Sequence, residues 1–142
     1  MPQHVWSILC TKASIDNQSN NVSLFEVIEQ LTIRGAPQSQ EFLLPGTFEL
    51  VSLWVRTDPA VPESAAMRIQ LQRPDGSLKG GGTMDVNLTS ALRNRTLAKM
   101  NGLPLLGAGR YCFIVESKLA SEAVWTLCAR IPVEVAIEAA RG

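Results

Sequence analysis

Hydrophobic and polar residues alternate with period two along most of the chain. Met67, Ile69 and Leu71 interleave with Arg68, Gln70 and Gln72; Met84, Val86 and Leu88 interleave with Asp85, Asn87 and Thr89. Near the end, Ala123, Trp125, Leu127, Ala129, Ile131 and Val133 form one parity set, and the other contains Thr126, Arg130 and Glu134. Successive side chains of a strand point to opposite faces, so each run predicts a strand with one buried and one wetter side. The pattern predicts about eight strands, over 4–12, 22–34, 47–57, 66–73, 83–89, 95–101, 109–118 and 122–135. Turn-forming residues separate them: Asp16 to Asn21, Pro37, Pro45-Gly46, Pro59, Pro62 and Pro74-Asp75-Gly76. These side chains cap their own backbone, preset φ or supply a positive φ. Short strands at this spacing predict an all-β antiparallel two-sheet sandwich forming one domain over 1–142. Helix is limited to a turn near 90–93, and Ala136 to Gly142 is expected to fray.

Two predicted strands are apolar on both sides. In 47–57, Phe48, Leu50 and Trp54 share one face and Val51, Leu53 and Val55 the other. In 22–34, Val22, Leu24 and Ile28 oppose Phe25, Val27, Leu31 and Ile33. A half-exposed strand would not carry that pattern, so either long loops or a second subunit covers the extra face. Phe48, Leu50 and Trp54 are therefore candidate interface residues.

Three features carry a resemblance. One is strand 4–12, a polar turn, then Val22-Ser23-Leu24-Phe25-Glu26-Val27-Ile28; another is Leu71-Gln72-Arg73-Pro74-Asp75-Gly76; the third is Gly109-Arg110-Tyr111-Cys112-Phe113. In this order they resemble a family of small bacterial proteins with an immunoglobulin-like β-sandwich and no assigned activity. The resemblance implies that fold and a bacterial cytosolic origin, and no chemistry. Glu26 stands where that family has a small residue. Gly109-Arg110-Tyr111 also has the form of a tyrosine corner, in which the hydroxyl returns to backbone a few residues upstream.

Candidate chemistry is sparse. Nucleophilic catalysis usually needs a base beside a serine or cysteine; the single histidine, His4, reads as a surface residue of the first strand, and there is no Gly-x-Ser-x-Gly elbow. Three isolated cysteines, Cys10, Cys112 and Cys128, form neither a zinc set nor a disulfide framework. Asp16 to Asn21 lacks the glycine and the terminal glutamate of a calcium loop and reads as an Asx turn. Lys79-Gly80-Gly81-Gly82 has its lysine before the glycines, so it reads as a loop or bulge rather than a phosphate cradle. Glu26 and Glu29 point to opposite faces by parity, and Asp58 and Glu63 flank prolines; no carboxylate pair stands out. Trp125 falls in the inward set, which leaves Trp6 and Trp54 as candidate ligand-contact aromatics. Arg93, Arg95 and Lys99 form the densest basic run and read as a solvated edge.

Composition narrows the field further. Hydrophobic residues make up 46% of 142 and charged residues 18%, which excludes disorder for most of the chain. The formal net charge is zero, so no global field favours nucleic acid. The start, Met-Pro-Gln-His-Val-Trp, has no secretory pattern, and no apolar run is long enough to span a membrane. The expectation is a cytoplasmic, non-enzymatic sandwich with no cofactor and no metal, acting through protein–protein contacts with a partner or as a homodimer. The alternative is a small-ligand or carbohydrate-binding module using Trp6 or Trp54.

The last two predicted strands yield a sharper expectation. A three-residue turn over 119–121 would oppose Lys118 to Glu122, Val115 to Trp125 and Phe113 to Leu127. It would also set Cys112 directly opposite Cys128 as reduced neighbours.

Overall fold

The computed structural model describes residues 1–140. Among these, the chain forms nine strands: β1 (Gln3–Ile15), β2 (Val22–Val27), β3 (Gln30–Arg34), β4 (Glu41–Val55), β5 (Glu63–Gln72), β6 (Leu78–Leu88), β7 (Arg93–Leu106), β8 (Gly109–Lys118) and β9 (Thr126–Glu138). They build two sheets, ordered β2-β1-β4-β7 and β3-β9-β8-β5-β6. The inward side chains of both sheets, including Leu9, Leu50, Trp54, Met67, Val86, Leu105, Phe113 and Val133, meet in one core. The sandwich follows from the alternation: each sheet buries one parity set against the other.

Several boundaries differ from the sequence reading, each for a local reason. The predicted strand 22–34 is two strands. Glu26 has φ 52, a left-handed conformation uncommon for a residue with a Cβ. Beyond it the chain crosses between sheets: the Ile28 amide still donates to the Leu9 carbonyl, while the Glu29 carbonyl accepts from Glu134. Ile28 is buried at the crossing. β3 then pairs with β9 in parallel, so the sandwich is mixed rather than wholly antiparallel. That pairing holds β9 through Glu138, where fraying was expected; the last two residues of that expectation lie outside the described residues. The helical turn near 90–93 is absent: the segment between β6 and β7 is a bend.

Pro45-Gly46 does not end a strand. β4 runs through it, with a register shift between Leu44 and Thr47 that leaves proline where no ladder donor is required. Pro74-Asp75-Gly76 forms the expected hairpin turn: Gly76, at φ 86, donates to the Arg73 carbonyl at 2.9 Å, and the Asp75 carboxylate accepts from the Ser77 amide and hydroxyl. The glycines 80–82 lie in the edge strand β6 beside a register shift, as a bulge reading requires.

The tyrosine corner is present. Tyr111 is buried, its hydroxyl accepts from the Leu106 amide at 2.7 Å, and it donates to the Gly107 carbonyl at 2.7 Å. Gly107 has φ 70, and a Cβ there would come within 2.6 Å of the Gln38 carbonyl oxygen. The corner thus needs glycine at its turn as well as tyrosine on its strand.

The register expected for the last hairpin is wrong. β8 and β9 are joined by 119–125, and Cys112 opposes Pro132 while Val115 opposes Ala129. Cys128 is displaced from Cys112 by about 13 Å of strand and instead has its Sγ 3.2 Å from the Ser117 hydroxyl. Two features lengthen the loop. Glu122 accepts from the Leu119 amide through its carboxylate, and Trp125 leaves the core to lie beneath the Arg68 guanidinium, 4.6 Å from the ring centre, with the Lys118 ammonium at 5.1 Å. Such cation–π contacts favour a partly exposed indole. A bulge between Val115 and Glu116 then reverses parity, so Leu127 is exposed.

Candidate functional site

Parity decides where the residues of β4 point. Phe48, Leu50 and Trp54 are 6%, 0% and 0% exposed and lie in the core between the sheets. They cannot form an interface, and Trp54 cannot meet a ligand. Its indole N–H donates to the Thr96 hydroxyl at 3.1 Å, and its ring meets His4 edge-on at 5.1 Å. The opposite parity set, Glu49, Val51, Leu53 and Val55, faces out of the first sheet. Val51 and Glu49 are nevertheless buried.

The cover comes from the chain itself. Pairing of β1 with β4 stops at Cys10, whereas its pairing with β2 continues to Ile15. The tip of this β1–β2 hairpin lies against the outer face. The Ala13 amide donates to the Glu49 carboxylate at 2.6 Å, and the Arg95 guanidinium donates through Nη2 to the Asn20 carbonyl at 2.8 Å. Of the two covers considered for this face, loop and subunit, the hairpin fills the first role. The Asx turn keeps its shape through the Asp16 carboxylate, which accepts from the amides of Ser19 and Gln18. These bonds, with that from Ser19 first, hold the Asp16 carboxyl below the usual carboxylate range.

Between the hairpin tip and the sheet lies a cleft of about 320 Å³, lined by Trp6, Asn20, Asn21, Val22, Leu53, Arg93 and Arg95. A bulge places Trp6 there. His4 opposes Trp54 on the inner side, the register shifts by one residue before Trp6, and Trp6 then opposes Leu53 on the outer side. Without the inserted residue, Trp6 would follow His4 inward. Arg93 and Arg95 reach the cleft from the edge strand β7, opposite Val55 and Leu53. Trp6 was a sequence candidate and is part-exposed here. The two arginines were read as a solvated edge; their convergence on Trp6 depends on the folded-back hairpin and has no local signal.

His4 is half-buried rather than on the surface. Its Nε2 lies 2.6 Å from the Ser7 hydroxyl, which lies 2.6 Å from the Ser52 hydroxyl. No carboxylate is bonded to His4 among the described residues, so the orienting third group of a nucleophilic triad is missing from this row. Burial lowers the His4 pKa from 6.5. A lowered folded value means the unfolded chain binds the proton more readily, so His4's contribution is complete above pH 6.5 and is lost as pH falls through the folded value. The lowered carboxylates Asp16, Glu41, Glu63 and Asp75 start from 3.8 to 4.5 and act at lower pH. Urea midpoints are therefore expected to fall from pH 7 to pH 5, and His4→Gln should flatten that slope. An equal slope in the variant would remove His4 as its cause.

Among the described residues no group of three or more His, Cys, Asp or Glu side chains is placed to hold a metal ion, and no helix is long and apolar enough to cross a membrane.

No family model matches the sequence, and no curated protein matches it. Among solved structures, the chain is similar to part of a β-glucosidase from Listeria innocua in complex with gluconolactone, at 11% identity and a TM-score of 0.49. The match covers 94% of this chain and 17% of that one. It is also similar to the N-terminal domain of PorA, at 11% identity and a TM-score of 0.31, over 96% of this chain and 100% of that one. The expectation that the chain is not an enzyme is corrected here. A solved structure similar to most of its length is part of an enzyme, so that exclusion is withdrawn; the likeness is too weak to make this chain an enzyme in turn. The chain is an all-β, two-sheet, sandwich-like fold.

Proposed function

We propose that the protein is a small-ligand-binding module of carbohydrate-binding type, with its site in the cleft between the β1–β2 hairpin tip and strands β4 and β7. The observation that carries this reading is the convergence of Trp6, Asn20, Asn21, Arg93 and Arg95 on one cavity of about 320 Å³. That is at the small end of ligand clefts and suits a single sugar-sized ring. An indole offers a flat apolar face, and the asparagine amides offer both donors and acceptors to hydroxyl groups. Self-association is the weaker reading, since the face that suggested it is divided between the core and the hairpin. We also read the sandwich as immunoglobulin-like, because the β2–β3 segment switches from an antiparallel partner in one sheet to a parallel partner in the other. This is consistent with the bacterial family that the sequence resembles.

A thermal-shift and calorimetric panel of monosaccharides and their derivatives tests the reading. Binding is expected, and Trp6→Ala should weaken it by about tenfold, the loss of one stacked aromatic contact. A ligand whose affinity is unchanged in Trp6→Ala would place the site elsewhere.

A further inference from the structure

We infer that the ligand of this cleft is acidic: a sugar-sized ring carrying one carboxylate or phosphate, with Arg93 and Arg95 reading the anion and Trp6 the ring. The inference rests on the proposed ligand site and specifies its chemistry.

The lining of the cleft contains two guanidinium groups and no carboxylate. Four other arginines are paired with carboxylates, Arg34 with Glu138, Arg68 with Glu116, Arg73 with Glu41 and Arg110 with Glu134. Arg56 instead donates to the backbone carbonyls of Leu88, Pro59 and Thr89, and Arg130 stands on β9, away from this cleft. Among the described residues neither Arg93 nor Arg95 has an acidic partner. They are two residues apart on the same side of β7, about 6.6 Å along the strand, where like charges repel. Arg95 Nη2 donates to one neutral acceptor, the Asn20 backbone carbonyl. Among the described residues the buried Arg95 Nε has no hydrogen-bond acceptor within the protein, and a buried donor without a partner is a standing cost. The charged groups lining this cavity are therefore both cationic. The group that balances it is an anion supplied from outside, and the planar fork of arginine suits carboxylate and phosphate oxygens. Two charges in one small cleft of a chain with zero net charge fit a single acidic group rather than a polyanion.

Calorimetric titration with four probes tests this: methyl glucuronide, glucose 6-phosphate, methyl glucoside and acetate. At least one of the two acids should bind about tenfold or more tightly than methyl glucoside and than acetate, as expected for charge-assisted bonds added to a stacked ring. Which acid binds distinguishes carboxylate from phosphate. Added salt should weaken the acid and leave the neutral sugar unchanged. Arg95→Gln removes the bond to the Asn20 carbonyl and could disturb the hairpin. Among the described residues Arg93 makes no ion pair, so Arg93→Gln is the cleaner variant; it should cost the acid about tenfold and the neutral sugar distinctly less. Equal affinity for methyl glucoside and both acids would overturn the acidic-ligand inference while leaving the cleft as a sugar site. Acetate binding as tightly as the acids would overturn the role of the ring. Binding of none of the four would overturn both the inference and the ligand reading.

Discussion

Replacing Trp54 by alanine is expected to destabilise the protein by about 3–5 kcal/mol, the range for truncating a large aromatic in a core. Trp54 is fully buried and ranks among the largest side chains in the core. Its loss removes the edge-on contact with His4 and leaves the Thr96 hydroxyl, which also donates to the Met67 sulfur at 3.0 Å, without its indole donor. Trp54→Phe keeps most of the ring and should cost markedly less. Urea denaturation followed by circular dichroism measures the difference as a fall in midpoint with little change in slope. A change under about 1 kcal/mol in Trp54→Ala would mean that the indole is not packed between the sheets.

Tyr111→Phe should cost about 1–3 kcal/mol, although it removes a single oxygen. That hydroxyl is bonded on both sides, to the Leu106 amide and to the Gly107 carbonyl. Phenylalanine keeps the buried ring and leaves both backbone groups without their partner at the turn from β7 into β8. Hydrogen exchange at the Leu106 amide should rise in the variant beyond the change in global stability, because its acceptor is gone. Unchanged stability together with unchanged protection at Leu106 would show that the corner bonds do not form.

Much of the fold was legible in the alternation of the chain. The runs at 67–71 and 84–88 bury the expected parity, the Pro74-Asp75-Gly76 turn forms, and Tyr111 closes its corner as its position beside Gly109 suggested. Inserted residues account for part of what was misplaced. A parity argument holds only until a residue is inserted, and then every later side chain changes face. The shift between Val115 and Glu116 exposes Leu127, while the longer loop over 119–125 separates Cys112 from Cys128; the shift between His4 and Trp6 is what turns Trp6 outward into the cleft. Neither bulge has a glycine or proline to mark it. The apolar doubling of 47–57 was read correctly as a face needing cover, but the choice of Phe48, Leu50 and Trp54 as that face was reversed. Which side meets the other sheet depends on partners distant in sequence. The burial of Glu49 and the gathering of Arg93 and Arg95 around Trp6 are likewise products of the hairpin tip returning to the sheet. Contacts of that kind leave no trace in a local window.

The central claim, that the hairpin tip and the outer face of the first sheet together form the ligand site, is tested most directly by amide chemical-shift mapping. During titration of the protein with methyl glucuronide or glucose 6-phosphate, the amides of Trp6, Asn20, Asn21, Leu53, Arg93 and Arg95 should shift together. These positions are scattered over four segments of sequence and meet only in the cleft. Shifts confined to other surfaces, such as the β6 edge or the loop around Trp125, or no shifts with either ligand, would contradict the account.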